Sequence, residues 1–256
     1  TLTDVTIRVK EKPTGIFSVG AGYSAQDAAM ITGQVSQQNL FGRGQILSLK
    51  ANVGSKVAMY EISFTEPWLF DIPLWSQANL WNFTREYDTY NLDSSGFGAT
   101  LGYPIWEYIT GYLGYRFARD NVKDIQTGAS YYVRKQAGWT TTSSVSITLS
   151  RDTTDDSMFP SKGTRISTTI DHAGGPLGGD NSFTKYGASA SWFHPLPLEM
   201  VFDVRGRIGY LQNNSDRDLP IYERFILGGI NTLRGLRDVG TRDPATGDII
   251  GGTTML

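Results

Sequence analysis

The stretch GFGATLGY, residues 96–103, decides the fold because apolar side chains occupy every second position in it. Phe97, Leu101 and Tyr103 fall on one side of an extended chain, while Thr100 and three glycines fall on the other. Successive side chains of a β-strand point to opposite faces, so this alternation predicts a strand with one apolar face. The residues between the apolar ones leave the opposite face open and polar.

The same two-residue period recurs along most of the chain. Further examples are LSLKANV (47–53), YEISFT (60–65), SVSITLS (144–150) and FDVRGRIGY (202–210). Roughly eleven such segments and the start of another are recognisable, many near the length that a tilted membrane strand needs. Helix signals are nearly absent, and no run approaches the ~18 apolar residues of a membrane helix. The sequence therefore predicts an all-β chain.

The lengths of the connections distinguish a membrane barrel from a soluble sandwich, which alternates in the same way. The joins after the second, fourth, sixth and tenth segments are short and carry Pro and bulky apolar residues: LFGRG (40–44), PWLFDIP (67–73), YPIWEY (103–108) and FHPLPL (193–198). The join after the eighth, RDTTDDSMFPSKG (151–163), is moderately short, and several joins at the opposite end are long and polar: 85–95, 119–140, 173–183 and 212–247. This asymmetry is typical of an antiparallel transmembrane β-barrel.

Two further expectations follow for the side chains of such a barrel. Trp68, Trp75 and Trp106 lie at the short-turn rim, where an aromatic belt is expected. Only alternate residues of each strand contact lipid. The predicted lipid-facing side chains are Tyr60, Ile62, Phe64, Phe97, Leu101, Val145, Ile147, Val204 and Ile208.

Composition argues against several classes of function. Lys and Arg number 23 and Asp and Glu 25, for a net charge of -2, so no nucleic-acid partner is expected. The chain has no cysteine, which excludes a disulfide framework and thiolate zinc sites. His172 and His194 are the only histidines, and no G-x-S-x-G nucleophile motif accompanies them. We therefore expect no enzymatic activity, no catalytic residue, no metal site and no cofactor.

The two ends of the chain differ from its middle. Residues 1–13 are expected to be the end of a preceding domain and its charged linker, with residues 14–256 forming the barrel. The last segment, IIGGTTML (249–256), stops as a new strand begins. An open barrel edge in lipid leaves backbone groups unpaired, so we expect the natural protein to continue past Leu256.

The first barrel strand carries glycine at two inward positions, Gly20 and Gly22. Glycine adds no side-chain packing to a strand and loses more entropy on ordering than other residues. The pair therefore indicates either room for a neighbouring group in the lumen or a strand that separates easily from its partner.

The segment LPIYERFILGGINTLRGLRD, residues 219–238, resembles the sixth extracellular loop of the BamA superfamily, whose barrels insert or translocate other proteins at outer membranes. That family carries Tyr/Phe-Glu-x-Phe, two glycines, and an apolar-Arg-Gly-apolar tetrad. The matching residues are Tyr222, Glu223, Phe225, Gly228, Gly229, Leu233, Arg234, Gly235 and Leu236. The tetrad more often ends in an aromatic residue, so Leu236 is a departure. The resemblance implies that the loop (212–249) folds back into the barrel and that Arg234 faces the lumen, pairing with an acidic group on later strands.

Other segments support the same resemblance, which covers essentially the whole chain. RDTTDDSMFPSKGTRI (151–166) is similar to a periplasmic turn of the family, with Arg151, Asp152, Phe159, Pro160 and Gly163 as the matching residues. NLFGRG (39–44) and FTEPWLFD (64–71) are similar to its first two periplasmic turns, and VTIRVKEKPTG (5–15) to the last strand of its polypeptide-transport-associated (POTRA) domains. The resemblance implies a barrel of about sixteen strands, of which this chain covers the first eleven to twelve.

The resemblance also implies a function, that of a bacterial outer-membrane insertase. In the family's mechanism the first and last strands form a weak lateral seam, on whose exposed edge substrate strands assemble. The gate residues here are Phe17, Val19, Gly20, Ala21, Gly22 and Tyr23. The expected partners are unfolded outer-membrane β-barrel proteins, accessory periplasmic lipoproteins and outer-membrane lipid. A secretion transporter of the same superfamily and a passive diffusion porin are the alternatives.

Overall fold

The computed structural model describes residues 13–24, 28–229, 232–236 and 238–256, and in these ranges twelve strands form one antiparallel sheet. The strands are β1 (Gly15–Ser24), β2 (Ala28–Leu40), β3 (Gln45–Gly54), β4 (Val57–Glu66), β5 (Trp75–Glu86), β6 (Asn91–Trp106), β7 (Ile109–Lys123), β8 (Gly138–Asp152), β9 (Gly163–Ala173), β10 (Phe183–Pro195), β11 (Val201–Asn213) and β12 (Thr254–Met255). The predicted end of a POTRA domain and its linker comprise residues 1–13. Of these residues, only Pro13 lies within the described ranges.

Each strand pairs with the next along the chain, which is the topology of an up-and-down barrel wall. Within the described residues β1 and β12 are the two edges of the sheet, and the sheet is open between them. The predicted all-β architecture, with eleven strands and the start of another, is confirmed. The short β12, which pairs with Gly209 and Tyr210 of β11, is that further strand.

The register divides the sheet into an apolar face and a polar face. Ile62 lies opposite Leu49 and Leu80, and Phe97 lies opposite Leu80 and Phe117. All nine side chains predicted to contact lipid share this apolar face, and all but Val145 are exposed, Ile147 by 62%. So many bare apolar side chains are stable only next to an apolar medium, which the hydrocarbon of a bilayer supplies.

The polar face carries mainly small and hydrophilic side chains. Ser48 lies opposite Ser63, Asn79 opposite Gly98, and Gly114 opposite Ser146, so that small residues follow each other across the sheet. Trp75 also belongs to this face, where its ring meets that of Tyr112 edge-on at 6.1 Å. The prediction that Trp75 belongs to an aromatic belt at the lipid surface was therefore wrong, because the alternation of side chains along β5 places Trp75 on the polar face.

The connections lie at the two ends of the sheet as the sequence predicts. Residues 41–44, 67–74, 107–108, 153–162 and 196–200 form the turns of the short-turn rim. At the long-loop rim, residues 124–137 contain one helical turn, α1 (Tyr131–Arg134), and residues 214–253 form the longest loop. One expectation was wrong: 85–95 is not a long loop. β5 and β6 extend into it and leave a four-residue turn, 87–90, closed by the Tyr87 N–H donating to Tyr90 O at 2.9 Å.

The larger of the two hydrophobic clusters in the described part of the chain lies between the loops of the long-loop rim. Its buried members are Tyr90, Leu92, Val122, Ala129, Val133, Ile221 and Ile250. They come from the turn between β5 and β6, from the nearby ends of β6 and β7, from the segment around α1 and from the long loop. The long loop is therefore part of a packed cap. Within the described part of the chain, no helix has the length and apolarity needed to cross a membrane.

Candidate functional site

The loop of residues 214–253 is the candidate site, because it returns over the polar face and makes specific contacts there. It first folds on itself as a narrow ribbon. Phe225 and Gly252 exchange two backbone hydrogen bonds of 2.9 Å, and the Leu227 and Val239 N–H groups each donate to the other residue's carbonyl oxygen, at 2.8 and 2.6 Å. A ribbon that satisfies its own backbone groups can lie against the sheet without a desolvation penalty.

Glu223 joins this ribbon to two strands at once. Its Oε1 accepts a hydrogen bond from Arg116 Nη1 of β7 at 3.3 Å, and its Oε2 lies 3.2 Å from Lys185 Nζ of β10. The same ammonium donates to the Glu223 carbonyl oxygen at 2.9 Å. The Glu223 side chain is only 11% exposed. A nearly buried carboxylate with two cationic partners fixes the loop in both position and direction.

Tyr222 and Phe225 hold the loop on either side of Glu223. The Tyr222 hydroxyl shares a hydrogen bond of 2.9 Å with Thr140 Oγ1 and accepts another from Asn181 Nδ2 at 3.3 Å. Burial raises the pKa of this hydroxyl above its ordinary value, and the Asp120 carboxylate raises it further, so Tyr222 stays protonated. Tyr222, Glu223 and Phe225 together form what we call the loop anchor.

A glycine of the wall makes room for Phe225. A Cβ atom added to Gly209 of β11 would lie 2.6 Å from Phe225 Cζ, far inside van der Waals contact. The Lys185 ammonium lies 5.2 Å from the centre of the same ring, within the range of a cation–π interaction. Lys185 therefore contacts two of the three residues of the loop anchor, Glu223 and Phe225.

The segment 124–137 forms hydrogen bonds with the long loop near both of its ends. Gln136 Nε2 donates to Leu219 O at 2.9 Å while its Oε1 accepts from the Ile221 N–H at 2.8 Å, so the side-chain amide acts as a strand partner. Farther along the loop, Ser130 donates its hydroxyl to Asp243 and its N–H to Asp248 Oδ2. The hydrogen bond from the Ser130 hydroxyl lowers the pKa of Asp243, which therefore remains ionised.

The glycines and the tetrad of the family motif lie at the tip of the ribbon. Gly228, Gly229 and Gly235 all have positive φ angles, 132°, 76° and 84°, which bulky side chains rarely adopt. The Gly229 N–H donates to Leu236 O at 2.9 Å and closes the tip. Leu233 lines a cavity of about 510 Å³ together with polar-face residues that include Ser189 and Arg205.

Arg234 itself is exposed, and it forms no ion pair with any residue that the structure describes. Its predicted lumenal carboxylate partner therefore stays a prediction, and Arg237 lies outside the described residues. The observed contacts that hold the loop are instead those of the loop anchor, three residues that the motif had also marked.

The predicted gate residues lie on β1, which pairs with β2 alone among the described strands. Phe17, Val19 and Tyr23 are exposed on the apolar face by 74%, 64% and 79%. A Cβ added to Gly20 or Gly22 on the polar face would meet no described atom within 4 Å. The expected easy separation of this strand stays a prediction.

The predicted turn motif, 151–163, is shaped by its carboxylates. Asp152 Oδ2 accepts from Arg165 Nε at 2.7 Å, and Arg151 Nη1 donates to Thr164 Oγ1 at 3.1 Å. Gly163 has a φ of 109°, and a Cβ there would lie 2.4 Å from Thr153 O. Phe159 is 82% exposed, so the motif divides into residues that build the turn and the apolar tip that the turn presents.

Four residues of the site were missed from the sequence: the wall residues Arg116, Lys185 and Gly209, and Gln136 of the segment 124–137. A signal existed for two of them. Arg116 and Lys185 are cations at polar-face positions of their strands, where most neighbours are small and uncharged. Their partner could not be identified, because the two residues lie 107 and 38 positions from Glu223 along the chain.

Comparison with known proteins agrees with the geometry. The Omp85 superfamily domain matches residues 39–256. The outer membrane protein assembly factor BamA of Nitratidesulfovibrio vulgaris is 36% identical over 255 residues, covering 98% of this chain and 32% of that protein. The sorting and assembly machinery component 50 homolog B of Xenopus laevis is 28% identical over 253 residues, covering 97% of this chain and 53% of that protein.

A solved structure shows the same fold. The crystal structure of BamA from Haemophilus ducreyi lacking POTRA domains 1–3 superposes with a TM-score of 0.81 at 22% identity, covering 96% of this chain and 52% of that one. The chain thus spans between about a third and a half of the length of these relatives.

Proposed function

Because the chain belongs to the Omp85 superfamily, we propose that it is the membrane-embedded part of an insertase, a factor that folds β-barrel proteins into the bacterial outer membrane. Its place is the outer membrane, where the apolar face of the sheet contacts lipid. The proposed substrates are unfolded outer-membrane β-barrel proteins, with periplasmic lipoproteins as accessory partners.

The observation that carries this proposal is the character of β1. Among the described strands its backbone pairs with β2 alone, and we propose that in the full-length barrel its other side forms the weak seam with the last strand. A strand edge presents N–H and C=O groups on which another strand can add by β-augmentation. Phe17, Val19 and Tyr23 of β1 point to the lipid-facing side, while Gly20 and Gly22 leave part of its lumenal side open. A substrate strand paired with β1 would meet lipid on one face at once.

The loop anchor favours the insertase over a passive porin. A diffusion channel requires an open lumen, whereas here a long loop is held against the polar face by a charge cluster and an aromatic side chain. The proposed activity breaks no covalent bond. It needs only a strand edge, a lipid-facing surface and a lumenal loop of fixed position.

Site-specific crosslinking in the full-length protein tests the proposal. A photoreactive amino acid at Val19 of β1 is expected to capture an unfolded β-barrel substrate during its assembly in proteoliposomes. The matched control is Ile62 of β4, which also lies on the apolar face but in an interior strand.

Equal capture at both positions would contradict insertion at the β1 edge. Delivery of the crosslinked substrate to the far side of the vesicle would identify a secretion transporter instead. Rapid passage of small sugars without any substrate would identify a porin.

A further inference from the structure

Trp81 of β5 lies on the polar face in a space that glycine leaves open. It is paired in register with Gly96 of β6. A Cβ added to Gly96 would lie 2.5 Å from Trp81 Cζ2, and one added to Gly98 would lie 3.6 Å from Cζ3. The indole ring therefore lies against the backbone of β6, and the wall around it determines its orientation.

The exposed side of that ring faces Arg116. The Arg116 guanidinium carbon lies 5.4 Å from the ring centre, within cation–π range, and its Nη1 contacts Glu223 of the loop anchor. The Arg116 side chain is 40% exposed, so the Glu223 carboxylate alone does not enclose it. A long, flexible side chain loses rotamer freedom when it makes one directed contact, and a flat aromatic neighbour reduces the number of orientations available to it beforehand.

We propose that Trp81 is a positioning residue for the lumenal loop: it orients the Arg116 guanidinium toward Glu223 and so sets where the long loop lies in the barrel. In this role Trp81 acts on the loop through Arg116. The consequence for substrate insertion rests on the proposed function, whereas the effect on the loop does not.

The same strand offers a matched control. Trp75 lies on the same face of β5, is paired with Gly102, and has Tyr112 as its aromatic neighbour. Its surroundings thus repeat the tryptophan-on-glycine arrangement without the contact to Arg116. Trp75→Leu and Trp81→Leu remove the same number of atoms from the same face of the same strand.

Hydrogen exchange of the full-length protein in lipid tests the inference without any substrate. In Trp81→Leu we expect the backbone amides of residues 221–229 to exchange about tenfold faster, and those of Trp75→Leu to keep native rates. Trp81→Phe, which retains a ring face, is expected to restore most of the protection. Trp81→Leu combined with Arg116→Gln should exchange no faster than Arg116→Gln alone, because the two residues act in series.

Three results would overturn the inference: native exchange of the loop in Trp81→Leu, equal acceleration in Trp75→Leu, or additive effects of Trp81→Leu and Arg116→Gln. If Trp81→Leu does not fold, Arg116→Lys gives the same test, since it keeps the charge but loses the planar stacking group. Slow insertion with a loop of native exchange rate would count against Trp81 as a positioning residue and leave the insertase untouched. If the loop exchanges faster but substrate is inserted at the native rate, the positioning role of Trp81 stands. That result would count against a function of the loop in insertion.

Discussion

At the scale of single residues, Glu223 makes more of the described contacts that hold the long loop than Arg234 of the family tetrad does. It is nearly buried and has two cationic partners, whereas Arg234 is exposed. A carboxylate removed from a desolvated cluster leaves its partners uncompensated, while removal of an exposed charge costs little. The two residues are therefore expected to respond differently to substitution.

The first prediction concerns Glu223→Gln. This change keeps the shape of the side chain but removes the carboxylate that pairs with both Arg116 and Lys185, and we expect the free energy of unfolding to fall by about 2–3 kcal/mol. Heat-modifiable migration on gels measures it. Asp203→Asn is the control, because Asp203 pairs with the largely exposed Arg205 and should cost at most about 1 kcal/mol. Equal losses in both variants would mean that the loop anchor adds nothing specific.

The second prediction concerns Arg234. If it reaches a lumenal carboxylate in the full-length barrel, Arg234→Ala and Arg234→Lys should both impair substrate assembly, since lysine lacks the planar fork of donors. Arg237→Ala should impair it less. A complementation assay compares the three variants. Native growth of both Arg234 variants would mean that Arg234 is an ordinary exposed loop residue without a lumenal partner.

At the scale of elements, β1 and the turn 153–162 show how few residues set local stability. A Cβ added at Gly20 or Gly22 of β1 would meet no described atom within 4 Å, so these two lumenal positions add no side-chain packing to the strand. In the turn, the Asp155 carboxylate accepts from the Ser161 and Lys162 N–H groups at 2.9 and 3.1 Å. β1 lacks side-chain packing at two lumenal positions, whereas the turn concentrates its hydrogen bonds on a single side chain.

The third prediction is that β1 opens before the interior strands. Its amides should exchange faster than those of β3 (Gln45–Gly54) in lipid, because exchange follows the local free energy of opening. Gly20→Val combined with Gly22→Val should slow that exchange by adding lumenal packing. Protection of β1 equal to that of β3 would remove the main support for a gate at this strand.

The fourth prediction is a pH dependence of the turn. The Ser161 hydroxyl and the backbone N–H groups of Lys162 and Ser161 hold the pKa of Asp155 well below its usual range. A carboxylate with a lowered folded pKa stabilises its turn fully above the unfolded value of about 3.9, and this stabilisation is lost as the pH falls below it. The Ser161 and Lys162 amides should stay protected from pH 7 down to about pH 4 and lose protection only in stronger acid. Asp155→Asn should show weak protection at every pH; pH-independent protection in the native turn would contradict the assignment.

The comparison of sequence and structure belongs to this scale as well. Strand phase follows from local alternation, so the lipid-facing positions of β4, β6 and β8 could be predicted correctly. The loop 85–95 could not, because polar residues such as Asn91 and Asp93 also fit the end of a strand that extends beyond the membrane. The partners of Glu223 could not be predicted for a different reason. Their proximity depends on which strands the folded loop crosses, and local sequence patterns do not contain that information.

At the scale of the whole molecule, the apolar and polar faces decide what surroundings the protein tolerates. Ile147 and Thr148 are neighbours on β8 with opposite orientations: Ile147 is 62% exposed on the apolar face, and Thr148 bonds Thr169 on the polar face at 2.8 Å. The fifth prediction uses this pair. Ile147→Arg should cost about 2–4 kcal/mol in a bilayer-folded barrel, and Thr148→Arg much less. Folding titrations in lipid vesicles measure both, and a reversed order would mean that the faces are assigned backwards.

The cap over the long-loop rim has a consequence for the order of events during biogenesis. Arg116 and Glu223 are separated by 107 positions and Ser130 and Asp243 by 113, whereas most neighbouring strands are joined by much shorter connections, such as residues 107–108 between β6 and β7. Contacts between distant positions form late, since they carry a larger loop-closure entropy and depend on partners already in place. Docking of the loop requires Arg116 of β7 and Lys185 of β10 on the same wall, so it marks the moment at which that part of the wall is complete. We therefore expect the loop to dock late: a barrel with misregistered central strands would leave Glu223 without its two cationic partners and the loop undocked.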